Sequence, residues 1–141
     1  MVDTLEQAQT DGRAPWTVVL WKTTEYTVFE DGFPVTPGHC LFVPKTNTSE
    51  AISLCVQAAI EQGNINVQSE NDITGYNIGL NIGASAGQTC MYPHVHLIFR
   101  RDGDCEDPVG GVRNVIPGMG NYRKENLNID DIGDIIYGDG C

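Results

Sequence analysis

Two histidines alternate with apolar residues near residue 95, and this alternation constrains the fold more than any other feature of the chain. His94 and His96 are separated by Val95 and followed by Leu97. Successive side chains of a β-strand point to opposite faces, so the two imidazoles share one face and the apolar residues share the other. We therefore predict a strand over residues 92–99, with its apolar face on a core and its histidine face open to a ligand.

The residues that precede this strand supply the rest of a sheet. Apolar residues alternate with glycine or asparagine over residues 76–83, and a loop of small residues at 83–87 joins that strand to the histidine strand. The β-branched and aromatic residues over 16–21 and 25–30 are typical of a hairpin, and residues 39–43 form a further apolar strand. These short segments predict an antiparallel sheet.

One main helix is predicted between the third and the fourth of these strands. Asn47, with Glu50 three residues later, resembles a capping box, and Gly63 marks the expected end. The fold class that follows is α+β, an antiparallel sheet with one main helix packed on it. The apolar stripe that would face the sheet consists of Ile52, Cys55, Val56, Ala59 and Ile60.

The length and composition of the chain fit one globular domain. Its 141 residues are 40% hydrophobic, which is enough for a single core. Residues 1–14 are polar without periodicity and are expected to form a flexible N-terminal arm. The domain itself is expected over residues 15–122, followed by an acidic C-terminal tail at 123–141.

Charge and apolar content argue against several classes of partner. A formal net charge of −11 disfavours binding of long nucleic acid through its phosphates. No apolar run approaches the ~20 residues of a membrane span, and no basic leader is evident, so we expect a cytoplasmic protein without membrane contact. The 5 cysteines include no Cys-x-x-Cys pair, which favours reduced thiols over disulfides or a cysteine zinc site.

Several motifs of the chain resemble the histidine triad (HIT) family of nucleotide hydrolases and transferases. Residues 87–96, Gly-Gln-Thr-Cys-Met-Tyr-Pro-His-Val-His, are similar to the family signature, in which Gly-Gln-Thr precedes His-x-His-x-His. Residues 34–39 resemble the family's Pro-x-x-Pro-Gly-His strand entry, and residues 107–118 resemble a tail in a bacterial branch of the family. The resemblance is to bacterial members of the kind that hydrolyse diadenosine tetraphosphate, and it implies a HIT-like fold.

The resemblance implies a role for each of the three histidines. His94 falls on the nucleophile, His96 on the residue that contacts the α-phosphate or the leaving group, and His39 on a residue that buffers the protonation of the site. The first histidine of the family motif is replaced by Tyr92. Its backbone carbonyl can still orient the nucleophile, and its phenol is expected to take over one hydrogen bond of the missing imidazole.

The resemblance also implies a set of groups that bind the nucleotide. Asp31 falls where the family binds the ribose hydroxyls, and Asn81 falls where it places an amide near the ribose and phosphate. Gln88 and Thr89 belong to the Gly-Gln-Thr loop. Donors from such a loop can stabilise the negative charge that builds on phosphate oxygens during attack.

These assignments predict a nucleotide hydrolase or transferase. A neutral imidazole can attack the α-phosphorus of an adenine nucleotide and form a covalent nucleotidyl-histidine. Dinucleoside polyphosphates such as diadenosine tetraphosphate are the leading substrate class, and nucleoside phosphoramidates come next. No cofactor is required for the covalent step, although Mg²⁺ can accompany a polyphosphate, and the usual state of the family implies a homodimer.

Two other functions stay open. The three histidines have the spacing for a metal-binding domain, with zinc held by imidazoles and a water. Against this, residues 32–49 and 73–101 contain no acidic residue, whereas metal sites usually recruit carboxylates. The replacement at Tyr92 suggests a nucleotide-binding protein without turnover as the other alternative.

Overall fold

The structure, a computed structural model, describes residues 1–123. Within this range the strands are β1 Val19–Lys22, β2 Tyr26–Glu30, β3 Cys40–Pro44, β4 Gly75–Leu80 and β5 Val95–Arg100, and the α-helices are α1 Leu5–Asp11 and α2 Ser49–Ser69. Neither helix is long and apolar enough to cross a membrane.

The five strands form one antiparallel sheet in the order β1-β2-β3-β5-β4. The fold class predicted from the sequence is confirmed, because the sheet is antiparallel and α2 is the main helix packed on it. β5, the predicted histidine strand, is inserted between β3 and β4. It is therefore hydrogen-bonded along both edges.

α2 covers one face of the sheet. The buried core on this face combines Cys55 and Ala59 of the helix with strand residues that include Cys40, Val95 and Leu97. The apolar face predicted for the histidine strand is thus confirmed. Burial raises the pKa of the Cys40 and Cys55 thiols to about 12, so both stay protonated in the core.

The bounds of α2 differ from the prediction at both ends. Its N-cap is Thr48 rather than Asn47, and the Thr48 hydroxyl accepts a hydrogen bond from the backbone N–H three residues later at 3.2 Å. The helix also continues well past Gly63. A Cβ at Gly63 would lie 2.7 Å from the ring of Tyr76, so the glycine permits close packing of the helix on β4 and does not end the helix.

The N-terminal segment is helical, which corrects the prediction of a flexible arm over residues 1–14. Thr4 caps α1 in a reciprocal capping box with Gln7. Leu5 is buried, and its backbone N–H donates to the carbonyl of Lys45 at 2.9 Å. The seven residues of α1 make only two turns, too few for an apolar period to stand out in the sequence.

α1 packs on the face of the sheet opposite to α2. Arg13, just beyond the helix, donates two hydrogen bonds to the carboxylate of Asp3 at 2.8 and 2.9 Å, and its guanidinium carbon lies 5.9 Å from the centre of the Tyr92 ring. These contacts close one end of the face that carries the histidines. The buried cluster beneath α1 consists of Leu5, Ala8, Ala14, Phe29, Leu41, Val43 and Tyr92.

The chain divides into two compact units, Met1–Asp104 and the residues from Cys105 onward, where one domain over residues 15–122 was predicted. In the described part of the second unit, Arg113 donates to the carbonyl of Gly120 at 3.0 Å. From residue 124 onward, the predicted C-terminal tail lies outside the described residues.

Candidate active site

β5 places His96 in the middle of the histidine face. His96 lies opposite Leu41 on β3 and opposite Gly79 on β4. A Cβ at Gly79 would meet no other atom within 4 Å, so the space beside His96 on this side is open. The predicted polar face of β4 therefore leaves room for a ligand next to the imidazole.

His94 is held by a hydrogen bond within its own segment. Its Nδ1 atom lies 2.8 Å from the carbonyl oxygen of Tyr92. A carbonyl oxygen only accepts hydrogen bonds, so Nδ1 carries the proton and Nε2 carries the lone pair. The orienting role expected of the Tyr92 carbonyl is present, and His94 has the tautomer that a nucleophile needs.

The side chain of Tyr92 contributes to the fold and not to the histidine cluster. Its ring is fully buried beneath α1, and its hydroxyl donates to the carbonyl of Pro44 at 2.8 Å. The expectation that the phenol takes over a hydrogen bond of the missing histidine is therefore wrong. Burial of the ring also raises the pKa of the phenol, which keeps it protonated.

His39 and His96 form a hydrogen-bonded pair, with His39 Nε2 and His96 Nδ1 2.9 Å apart. The backbone N–H of Val35 donates to His39 Nδ1 at 3.0 Å, so that nitrogen carries no proton. Neutral His39 then has its proton on Nε2 and donates it to His96. His96 accepts this hydrogen bond at Nδ1 and therefore carries its own proton on Nε2. The neighbouring His94 is the opposite, because its Nε2 atom carries a lone pair.

Asp31 lies beside this histidine pair. Its Oδ1 atom accepts a hydrogen bond from the backbone N–H of Phe33 at 2.7 Å. Its Oδ2 atom is 3.3 Å from His39 Nε2 and 3.9 Å from His96 Nδ1. The carboxylate therefore stabilises positive charge on the pair, while one of its two oxygens is already engaged in a backbone turn.

Burial keeps the three histidines neutral. It lowers the pKa of His39, His94 and His96 below the usual value of 6.5, because an imidazolium loses hydration in the interior. For His96 the other two imidazoles add to this effect and bring its pKa to about 4. The Asp31 carboxylate acts in the opposite direction without cancelling burial. The site thus offers unprotonated imidazoles at neutral pH.

Asp31, His39 and His96 also have the spacing of a metal site. Their donor atoms are 2.9, 3.3 and 3.9 Å apart, around the separation of about 3.3 Å that tetrahedral zinc with bonds of about 2.0–2.1 Å requires. Asp31 supplies a carboxylate here, so the expectation of a site without acidic groups is wrong. The hydrogen bond from Val35 is a better argument against a metal. A neutral imidazole bound to a metal through Nε2 donates a proton from Nδ1, whereas Nδ1 of His39 accepts one.

The loop between β4 and the histidine segment is closed by the side chain of Gln88. Its Oε1 atom accepts from the backbone N–H of Gly83 at 2.8 Å, and its Nε2 atom donates to the carbonyl of Cys90 at 3.1 Å. Gly87 has a φ of +91°, a conformation that glycine adopts at little cost. Gln88 therefore fixes the course of the loop, in addition to any contact with a substrate.

Asn81 and Thr89 flank this loop. Asn81 directly follows the last residue of β4, one position beyond the pairing of Leu80 with Val95, and Thr89 is exposed. Within residues 1–123, neither the Asn81 side chain nor the Thr89 side chain makes a hydrogen bond. Of the predicted site residues, the structure thus brings Asp31, His39 and His96 together, with His94 in ring contact with His96. Asn81 and Thr89 are left as unused donors at the edge.

Trp16 is a neighbour of the candidate nucleophile that the sequence interpretation missed. Its ring centre lies 4.7 Å from that of His94, with the ring planes inclined at 53°. It was assigned to the first strand of the hairpin, but β1 begins only at Val19. No local sequence pattern indicated that Trp16 lies outside the strand and against His94.

Several known proteins are similar to this chain. A family model described as the HIT domain matches residues 14–103. An uncharacterised HIT-like protein of Saccharolobus solfataricus is 33% identical over 86 residues, which cover 57% of this chain and 62% of that protein. The adenylylsulfatase HINT3 of Arabidopsis thaliana is 30% identical over 83 residues, which cover 53% of this chain and 41% of that protein. The chain therefore spans less than two thirds of the length of either relative.

A solved structure shares the fold. The zinc-bound histidine triad family protein from Mycobacterium smegmatis superimposes with a TM-score of 0.59 and 28% sequence identity, covering 72% of this chain and 78% of that one. The antiparallel sheet with its main helix is therefore the fold of the HIT family. The matched family region lies entirely within the first compact unit.

Proposed function

Because the chain belongs to the HIT domain family, we propose that it is a nucleotide hydrolase or transferase that acts at the α-phosphate through a nucleotidyl intermediate on His94. Dinucleoside polyphosphates of adenine are the proposed substrates. The observation that carries this proposal is the hydrogen bond from His94 Nδ1 to the Tyr92 carbonyl, which directs a lone pair from Nε2 into the site.

The proposed reaction has two steps. In the first, His94 Nε2 attacks the α-phosphorus, the bond from phosphorus to the leaving oxygen breaks, and that oxygen keeps the electron pair. The Nε2–H of His96 donates a hydrogen bond to an oxygen on which negative charge builds. In the second step, water or inorganic phosphate attacks the phosphorus, the N–P bond breaks, and His94 regains its lone pair; an attacking water releases its proton to solvent.

The surrounding groups have functions that suit this chemistry. The pair of His39 and His96 fixes the donor on His96, because the Val35 N–H holds His39 in one tautomer. The loop closed by Gln88 supplies backbone N–H groups and the Thr89 hydroxyl for the phosphate oxygens. Asn81 and the Oδ2 atom of Asp31 are the proposed contacts of the ribose.

The proposal includes no resident metal. The Val35 hydrogen bond to His39 Nδ1 favours a proton-donating pair over a metal ligand, and the covalent step is balanced without an ion. Mg²⁺ is expected only as the companion of a polyphosphate substrate. We further propose a homodimer, which would cover the apolar side chains of Ile60 and Ile65 that α2 exposes at 43% and 56%.

The substrate class is tested by product analysis. The protein is incubated with diadenosine tetraphosphate, with and without inorganic phosphate, and the products are separated. AMP with ATP would indicate transfer to water, and ADP with ATP would indicate transfer to phosphate. Adenosine 5′-phosphosulfate belongs in the panel, because the Arabidopsis relative is named an adenylylsulfatase, and an adenosine phosphoramidate tests amine leaving groups. Failure with every one of these compounds, with bound nucleotide still detectable, would favour a binding protein without turnover.

A further inference from the structure

The indole of Trp16 and the imidazole of His94 are in direct contact. Their ring centres are 4.7 Å apart, and His94 is only 8% exposed. His96 contacts the same imidazole, with its ring centre 5.1 Å away in an edge-to-face arrangement. His94 therefore lies in an aromatic environment from which most water is excluded.

Attack by His94 creates a positive charge in this environment. The Tyr92 carbonyl keeps a proton on Nδ1 throughout, because it is an acceptor only. When Nε2 forms its bond to phosphorus, the ring therefore becomes a cation. A buried cation is costly unless it is stabilised by neighbouring groups, and burial already lowers the pKa of His94.

We propose that the indole ring of Trp16 stabilises the positive charge that His94 acquires in the nucleotidyl intermediate, so that Trp16 supports the reaction through His94. The proposal rests on the proposed function. Tryptophan attracts cations more strongly than the other aromatic residues, and 4.7 Å is inside the range of about 6 Å over which this attraction acts. Within residues 1–123, His96 is the only other aromatic side chain that contacts the His94 ring.

Protonation of His94 creates a comparable cation without any substrate, so the pKa of His94 tests the proposal independently of catalysis. The other polar groups that face His94 are the Tyr92 carbonyl, the His96 imidazole and, at longer range, the Asp31 carboxylate. These groups are unchanged when Trp16 is replaced. A change in the pKa of His94 therefore reports on the indole alone.

The sign of that change separates two roles for Trp16. A residue that merely covers His94 keeps water away, so its removal would raise the pKa of His94 toward 6.5. A residue that stabilises the cation does the opposite. We expect Trp16→Leu to lower the pKa of His94 by about half a unit or more, with Trp16→Phe between Leu and Trp.

The titration is followed by NMR of the imidazole C–H signals, which are assigned with a His94→Gln variant. The matched control is Trp21→Leu, because Trp21 contacts Phe42 at 5.8 Å on the other side of the sheet and should leave the pKa of His94 unchanged. A pKa of His94 that stays constant or rises in Trp16→Leu would overturn the proposal. Thermal unfolding of each variant shows that the comparison is made on folded protein.

The rate of the covalent step supplies the second readout. In rapid-quench experiments with diadenosine tetraphosphate, we expect Trp16→Leu to form the nucleotidyl-enzyme about two- to thirty-fold more slowly, and Trp21→Leu to match the natural chain. Formation at the unaltered rate in Trp16→Leu would reject the role of Trp16. If the natural chain forms no nucleotidyl-enzyme, the proposed function fails, and the substrate-free titration still decides whether the indole stabilises a cation.

Discussion

The carbonyl oxygen of Tyr92 lies 2.8 Å from Nδ1 of His94, and the same tyrosine is buried completely beneath α1. The backbone that orients the candidate nucleophile is therefore anchored by a side chain that takes no part in the chemistry. Tyr92 thus combines a buried side chain that anchors the segment with the carbonyl that orients His94.

We expect His94→Ala to abolish turnover and to leave nucleotide affinity nearly unchanged. The substitution removes the covalent route but no proposed contact to base or ribose, so the rate should fall by about three to six orders of magnitude. Steady-state hydrolysis and equilibrium binding of a non-hydrolysable nucleotide measure the two quantities. Retention of more than a few per cent of the activity would reject His94 as the nucleophile.

Tyr92→His should change activity by less than about tenfold but should lower stability. The carbonyl stays in place, whereas the imidazole would enter an apolar pocket and leave the Pro44 carbonyl without its donor, a loss of about 1–3 kcal/mol. Tyr92→Phe isolates the lost hydroxyl, because it keeps the ring. Chemical denaturation measures the free energy of unfolding, and a gain of turnover from zero in Tyr92→His would instead identify a lapsed enzyme.

Gly79→Val should block the site while the fold stays intact. The side chain would enter the open space opposite His96, and β-branched residues suit strands. We expect kcat/KM to fall by at least about tenfold, the effect of losing about 1.4 kcal/mol of transition-state binding. Gly75→Ala on the same strand is the control, because a Cβ there makes only an ordinary contact of 4.0 Å with Arg100. Equal activity of both variants would place the substrate elsewhere.

Gln88→Ala should weaken catalysis by loosening the loop. It removes the acceptor of the Gly83 N–H and the donor to the Cys90 carbonyl, so the loop donors lose their fixed positions, at a cost of about one to three orders of magnitude in kcat. Asn81→Ala should lower activity without changing amide exchange in the loop. Hydrogen exchange of residues 83–90 separates the two effects, and unchanged kinetics in both variants would make these amides purely structural.

The protein should lose stability as the pH falls from about 6.5 to about 4. The unfolded chain binds protons at its histidines near pH 6.5, whereas folded His96 binds one only near its lowered pKa of about 4, so acid favours unfolding within this window. His96 alone accounts for up to about 3 kcal/mol. Thermal unfolding at a series of pH values should show a shallower slope in His96→Asn. An identical slope in that variant would contradict the lowered pKa.

Local patterns in the sequence were enough to predict much of the sheet. The alternation around His94 and His96 predicted a strand with one apolar face, and the alternation of β4 predicted its partner, because strand pairs are encoded by a period of two. The same local patterns wrongly predicted that Gly63 ends the helix. The glycine is required there because the ring of Tyr76, which belongs to β4, packs against it. A contact of this kind has no signature in the helix itself.

The arrangement of the site depended more strongly on distant contacts. The resemblance to a family assigned His39 to the site, but its pairing with His96 and its tautomer follow from the backbone of Val35. The proximity of Trp16 to His94 joins segments almost eighty residues apart. Such contacts arise only when the sheet has formed, so composition and spacing could not predict them.

The position of β5 has a consequence for how the protein folds during its synthesis on the ribosome. Of the described strands it is the last to be synthesised, yet it fills the gap between β3 and β4. A nascent chain can make the β1–β2–β3 meander and α2 before residue 94 has emerged, and at that stage it presents neither His94 nor His96. The proposed reactive centre would therefore be complete only after β5 has been synthesised, and a shorter nascent chain is expected to form no nucleotidyl-histidine.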